Sequence, residues 1–341
     1  MKLKCAFIMN PISGSVKKSG VQKLIDKFID KDKYEYIIRY TEYAGHATKI
    51  ASEYRDAGYD VVVAVGGDGT INEVGQALVH SNTAMGILPC GSGNGLARHL
   101  SIPTNLRKSI KILNKQSIST LDYCTINGHP FFCTCGMGFD AFISEKFAKS
   151  TRRGPVKYFQ TVLMEGLRYK PETYTIEDES GTHHHHAYLV SCANASQYGN
   201  NAYIAPQAKM SDGLLDVIIM EPFNLLGAPH ISFDMMNKTL NKSHKVKTFK
   251  AKKVTIHRMG EGPVHYDGEA VTMGGDIEVA VVEKGIKMVC NEEAERDLKP
   301  NIVQNAITEL FNNMYDMGNS ISRQGRRFKM MNKRLWRKLT K

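Results

Sequence analysis

The residues best placed to do chemistry are Gly66-Gly67-Asp68-Gly69-Thr70, which follow the buried-looking run Val61-Val62-Val63-Ala64-Val65 and precede a helical pattern. Glycines there let the backbone turn tightly and turn N–H groups toward an anion. The positive end of the following helix favours phosphate. Asp68 is costly beside phosphates unless it handles a metal ion or a proton, and Thr70 can cap the helix that continues through Asn72 and Glu73. A second apolar run, Met85–Leu88, leads to Pro89-Cys90-Gly91-Ser92-Gly93-Asn94-Gly95, again before a helical pattern. Asn10-Pro11-Ile12-Ser13-Gly14 closes the first apolar run, and Thr41 with Gly45-His46-Ala47 closes the second. Far along the chain, Asp267 and Glu269 stand two apart, a spacing that in an extended segment turns both carboxylates to one side. On residue types alone, however, Asp267-Gly268 favours a plain hairpin turn.

These loops need a frame. Cys5–Met9, Tyr34–Tyr40, Asp60–Val65 and Met85–Leu88 predict strands, and Val21–Ile29, Ala47–Ala57, Ile71–Val79 and Leu106–Leu113 predict helices between and after them. Short apolar strands alternating with helices imply a parallel α/β sheet, whose carboxyl edge collects all the loops above. After about Leu121 strand-like runs follow one another: Tyr174–Glu177, Ala187–Cys192, Leu215–Met220, Lys253–His257 and Ile277–Val282. That texture predicts a mostly β second domain, with one more helix over Val156–Tyr169. His183–His186 lies between two strand-like runs and fits a solvated hairpin tip better than a metal site.

The chain has 341 residues, 42% of them hydrophobic, which suits two domains with real cores and excludes a disordered protein. A net charge of +11 predicts attraction to something anionic, but no aromatic-interleaved basic sheet or nucleic-acid motif accompanies it, so no nucleic-acid partner is expected. Seven cysteines without a framework, among them Cys133 and Cys135 in an apolar stretch, read as buried thiols in a reducing compartment. No apolar run is long enough to span a bilayer. Arg323–Lys341 carries nine Lys or Arg and no acid, with Phe328, Met331, Leu335 and Leu339 at spacings of three and four. That is a basic amphipathic helix, suited to an anionic membrane surface or to docking on the protein itself.

Taken in order, the motifs resemble the diacylglycerol kinase catalytic-domain family, which includes sphingosine and ceramide kinases and bacterial lipid kinases. The likeness runs to about residue 290: the loops already named, then Gly136-Met137-Gly138-Phe139-Asp140-Ala141, Tyr198-Gly199 through Pro206, Asp212-Gly213-Leu214, and Asp267-Gly268-Glu269. The resemblance implies an α/β nucleotide-binding domain (residues 1–122, rejoined by the chain at 284–300) and a mostly antiparallel β-sandwich lipid domain (123–283). The active site would lie in the cleft between them, and 301–341 would be a basic extension. It implies an ATP-dependent lipid kinase using Mg2+, with a diacylglycerol-like or sphingoid acceptor. Asn10, Pro11, Ser13, Gly14, Thr41, Gly66, Gly67, Asp68, Gly69, Thr70, Asn72, Glu73, Gly91, Ser92 and Asn94 would bind the nucleotide. Glu269 would be the general base and Asp267 would hold the nucleotide or support that base, with Asp68 as organiser of magnesium, contact for the acceptor or rival base. Asp140 would contact the lipid head or cap its own helix. A structural magnesium would be held by Asp212 and the carbonyls of Lys209 and Leu214, or that segment would be a plain turn. Departures exist: Asn94-Gly95 replaces the Asn-Asp of diacylglycerol-type members, and Gly66 replaces the Ser of sphingosine kinases, so the acceptor stays open. The expected location is cytoplasmic, peripheral at the inner membrane face, with a homodimer left open. A kinase of a soluble substrate, NAD kinase-like, and a non-catalytic nucleotide-binding protein are the competing readings.

Overall fold

The computed structural model describes residues 1–11, 18–148, 169–223 and 227–291. Expectations for Ser13, Gly14, the helix over Val156–Tyr169 and the basic tail 323–341 therefore fall outside the described residues, Tyr169 excepted.

The first domain runs β1 (Leu3–Met9), α1 (Lys18–Phe28), β2 (Tyr34–Tyr40), α2 (His46–Asp56), β3 (Val61–Gly66), α3 (Asp68–Leu78), β4 (Ala84–Pro89), α4 (Gly95–His99) and α5 (Leu106–Lys115). Strands β2, β1, β3 and β4 lie side by side in that order, all parallel. The valine run forms β3 because both faces of a central parallel strand are covered. Ala6, Ile8, Val62 and Ala64 pack with α2 and α3 on one face. The intervening Cys5, Phe7, Val61, Val63 and Val65 pack with α1 and α5 on the other. The period-two alternation of a strand thus feeds two cores at once.

The second domain follows as β5 (Ile118–Ile126), β6 (His129–Phe131), β7 (Thr134–Gly138), α6 (Phe139–Ala148), β8 (Glu172–Asp178), β9 (Gly181–Ala187), β10 (Leu189–Ala193), β11 (Leu215–Met220), α7 (Ala228–Met236), β12 (Val246–Ala251), β13 (Lys253–His257), β14 (Gly262–Tyr266), β15 (Glu269–Met273) and β16 (Asp276–Val289). Strands β12-β11-β10-β7-β14-β15 form one antiparallel sheet. It packs face to face on β5, β8, β13 and β16 through Met137, Val190, Cys192, Val217 and Val264 against Cys124, Ile176, Val254, Ile256 and Val279. All seven cysteines are buried and free, as their apolar settings predict.

The two domains share a strand. The first half of β16 pairs with β13, β5 pairs with both halves, and the last residues run parallel to β4 at Met288–Met85. One ten-stranded sheet therefore crosses both domains. Its register breaks between Val282 and Ile286. There Lys284 takes a positive φ of 51° and its N–H donates to Asp122 Oδ1 (2.7 Å), while Gly213 N–H donates to Asp122 Oδ2 (2.8 Å). Buried Asp122 thus pins the bulge to the loop before β11.

One local expectation is corrected. His183–His186 does not form a hairpin tip: the tip is Glu179-Ser180, and the four histidines lie within β9 at the sheet edge. Pairing with β8 extends them, and Thr175 and Ser180 hydroxyls meet His184 and His183 at 2.9 and 3.0 Å.

Candidate active site at the domain junction

The carboxyl edge of the parallel strands gathers the loops as their registers require. Met9 is level with Tyr40 and Val65, so Asn10, Thr41 and Gly66 emerge together. Asn10 Nδ2 donates to Thr70 Oγ1 (3.3 Å), and Thr41 N–H to the Met9 carbonyl (3.0 Å). Thr70 is not the helix cap: α3 starts one turn earlier, on Gly67, and Thr70 lies buried within its first turn. A Cβ on Gly66 would collide with the Thr70 side chain. Gly67 and Gly91 cross backbone on backbone, since a Cβ on Gly91 would stand 2.6 Å from Gly67 Cα. Only glycine allows the two phosphate-type loops to touch there. Asn94 closes the second loop on itself: its side chain accepts from Gly91 N–H (2.9 Å) and donates to the Gly91 carbonyl (2.8 Å).

The acids on these loops have architectural partners. Asp68 accepts from the amides of Asn94 (2.9 Å) and Gly95 (2.7 Å), so it caps α4 rather than its own helix. Glu73 accepts from Ala47 N–H (3.0 Å) and caps α2. Of the helices α2, α3 and α4 at this edge, α2 and α4 have their amides met by carboxylates borne on α3, and α3 itself starts without a side-chain cap. The uncapped N-terminus at Gly67–Thr70 keeps its partial positive charge for a ligand. Burial pushes the Asp68 carboxyl up from its ordinary value, the amides of Gly95 and Asn94 oppose that, and the nearby charge of Asp267 adds to it.

Asp267 comes from the other domain. Asp267-Gly268 is a two-residue hairpin turn between β14 and β15, with φ of 47° and 84°. The extended-segment reading is therefore corrected: Asp267 and Glu269 do not share a side. Asp267 is engulfed, accepting from Phe132 N–H (2.8 Å), Cys133 N–H (2.7 Å), Thr134 N–H (3.2 Å) and Asn72 Nδ2 (2.8 Å). Its pKa is raised by burial, against the pull of those donors. Asn72 belongs to α3, so this carboxylate clasps the sandwich onto the phosphate-loop helix. Glu269, opposite Tyr266 at the start of β15, is exposed.

Asp140 is committed within the second domain. Its Oδ2 accepts from Tyr198 OH (2.9 Å) and contacts His265 Nε2 (3.0 Å), and Oδ1 meets Ala141 N–H (2.8 Å). Asp140 thus stands at the first turn of its own helix, with Oδ2 shared between Tyr198 and His265. Asp212 likewise has both oxygens engaged, Oδ2 by the Lys250 ammonium (2.8 Å), which also reaches Asp216 (3.0 Å), and Oδ1 by Leu214 N–H (3.2 Å). The carboxylate expected to hold a structural magnesium with the carbonyls of Lys209 and Leu214 is thus met by an ammonium and an amide. Among the described residues no group of three or more His, Cys, Asp or Glu is placed to hold a metal ion.

The same organisation is found in known proteins. The diacylglycerol kinase catalytic domain matches residues 4–126, and the YegS C-terminal NAD kinase beta sandwich-like domain matches 133–289. A protein of Citrobacter koseri named "Probable lipid kinase YegS-like" is 32% identical over 201 residues, 57% of this chain and 67% of that protein. The chain belongs to this lipid kinase family. A diacylglycerol kinase of Staphylococcus saprophyticus is 28% identical over 275 residues, 79% of this chain and 90% of its own. The crystal structure of a diacylglycerol kinase from Bacillus anthracis shares the fold, with a TM-score of 0.67 at 20% identity, covering 85% of this chain and 98% of that one. The lipid kinase is thus an ATP-dependent phosphotransferase with an α/β domain and an antiparallel β-sandwich, and no helix among its described residues is long and apolar enough to cross a membrane.

Motif reading missed several residues of the kinase's junction. His99, buried on α4, accepts Ser196 N–H at Nδ1 (3.1 Å) from across the domain boundary. Gly199, with φ of 113°, lets its loop ride on Gly93, whose carbonyl accepts Asn200 N–H (3.1 Å). Asp122, His265 and Lys250 were also missed. The one available signal was Tyr198-Gly199, whose glycine marks a close backbone approach.

Proposed function

We propose that this lipid kinase transfers the γ-phosphoryl group of ATP to the free hydroxyl of diacylglycerol. The observation that carries the reading is the division among its acids. Asp68, Glu73 and Asp267 are spent on backbone amides, whereas Glu269 stands exposed two residues beyond the inter-domain clasp. Phosphates would seat on the uncapped first turn of α3, with Gly69 exposed and nothing in the way of an approaching oxygen. Glu269 would accept the hydroxyl proton as the acceptor oxygen bonds to the γ-phosphorus and the bond to the ADP oxygen breaks. Asp267 would hold the turn that carries the base, and Asp68 would hold the second loop against the first. Magnesium would enter with the nucleotide, bound through its phosphate oxygens.

The choice of diacylglycerol over a sphingoid base is supported by the activity for which the staphylococcal relative is named and by the length over which it matches. An acceptor of this kind lies in a membrane, so the enzyme would work peripherally at a membrane surface. Labelled ATP supplied with vesicles of diacylglycerol, vesicles of a sphingoid base, and free NAD is expected to label the diacylglycerol alone. Label confined to the sphingoid base or to NAD would overturn the proposal.

A further inference from the structure

We propose that Tyr43 is the platform on which the base of the nucleotide stacks, an inference that rests on the reading of these loops as an ATP site. Tyr43 lies between the end of β2 and the start of α2, at the carboxyl edge of the parallel sheet. Its ring stacks on His46 with centroids 4.5 Å apart and planes 2° from parallel. His46 is itself held, because its Nδ1 accepts Glu42 N–H (3.1 Å). The Tyr43 hydroxyl is anchored by Lys49 Nζ (3.1 Å), one turn further along α2. Gly45, at φ 82°, makes the sharp entry into the helix that lets the ring fold back onto His46.

The result is an aromatic ring fixed on one face and at its tip, yet 51% exposed. The Lys49 ammonium stands 5.2 Å from the ring centroid, and the rest of the ring is open for a flat ligand to complete the stack. Its position suits a nucleotide. In the order β2-β1-β3, Tyr43 follows the strand two places from the one that ends in Gly66. Two strand spacings are about 10 Å, the reach of an extended nucleotide from its β-phosphate to its base. The intervening loop begins at Asn10, whose side chain touches Thr70. The first turn of α2 is tied to the second turn of α3, where the Glu73 carboxylate accepts Ala47 N–H and its carbonyl accepts Thr48 Oγ1 (2.9 Å), which fixes the platform relative to the phosphate end. Stacking on an aromatic face tolerates any base, so the platform would strengthen binding without selecting adenine over guanine.

Calorimetric titration of the full chain with ATP, GTP and inorganic tripolyphosphate, each with magnesium, tests this. Tyr43→Ala is expected to weaken ATP and GTP alike by about 5- to 50-fold and to leave tripolyphosphate binding unchanged, while Tyr43→Phe and Tyr43→Trp keep wild-type ATP affinity. In turnover the Ala variant should raise KM for ATP and keep kcat. An Ala variant that binds ATP as the wild type does would overturn the platform. So would equal losses on ATP and tripolyphosphate, which would mean that Tyr43 only shapes the loop. A wild-type chain that binds neither compound would remove the nucleotide reading itself, and the platform with it.

Discussion

The Gly66–Thr70 loop and the Asp267–Glu269 turn face the same junction from opposite domains, and they use their acids differently. In the loop, Asp68 is a cap, turned onto the amides of Asn94 and Gly95. In the turn the roles are split: Asp267 is sunk under four donors and Glu269 is left outside. A carboxylate in a signature motif is therefore as much a fastener of backbone as a chemical group, and only its partners tell which. The sharpest way to break this comparison is a pair of near-isosteric changes. Glu269→Gln should lower kcat by about 10²- to 10⁴-fold, the usual range for a lost general base, with ATP affinity and melting temperature unchanged. Asp68→Asn should instead loosen the second loop, weaken ATP binding and lower the melting temperature. If Asp68→Asn kept its stability and ATP affinity while losing turnover, the base would be Asp68 and the division of labour would be reversed.

The clasp should show itself in stability. Asp267→Asn keeps the shape but turns an NH2 toward groups that are themselves donors, leaving buried N–H groups unpaired. A loss of about 3 kcal/mol is expected, read by urea denaturation. A smaller cost attends the crossing of the two glycine loops. Gly91→Ala pushes a methyl to 2.6 Å from Gly67 Cα, and backbone cannot yield as a side chain can. About 2 kcal/mol should be lost, together with ATP affinity, whereas Gly69→Ala, with open space around it, should leave the loop crossing intact. Equal stability losses for the two alanines would show that the crossing is not what the glycines serve.

The first domain was legible because its inner strands β1, β3 and β4 are buried on both faces and its helices on one, which writes apolar runs and a 3.6 period into the chain. Tyr34–Tyr40 is found at its expected limits, as are Leu215–Met220 and Lys253–His257 in the second domain. Among the strands that escaped, several carry residues with poor strand propensity: Thr134-Cys135-Gly136-Met137-Gly138 with two glycines, Gly262-Pro263 opening β14, and the histidine run of β9. Their conformation is imposed by pairing partners far off in sequence, which no local pattern records. The site divides in the same way. Glycine loops announce themselves because their geometry is local. The caps do not, since Asp68 and Glu73 serve helices other than their own, and Asp122 joins Gly213 to Lys284. The Asp267-Gly268 turn was visible as a turn and as a motif, and it is both.

His99 offers the finest probe of the junction. It sits on α4, just past the amides that Asp68 caps, and its Nδ1 accepts from Ser196 N–H and meets Ser196 Oγ at 3.0 Å. Complete burial holds its pKa down at about 4, from an ordinary 6.5. Between those two values the unfolded chain binds a proton at this histidine and the folded chain does not. Stability therefore rises with pH in that window. Lowering the pH from 7 to 5 should cost about 1–2 kcal/mol through His99 alone. The raised carboxyls of Asp68 and Asp267 act with the opposite sign, because there the folded state gains its proton first as pH falls. Comparison with His99→Asn separates the two effects: the amide oxygen can accept Ser196 N–H, and the variant has no proton to refuse. Its stability should fall less than the wild type's from pH 7 to pH 5, by that same amount. Identical pH slopes would mean that His99 takes up its proton in the folded chain, and that the contact across the domain boundary is open to water.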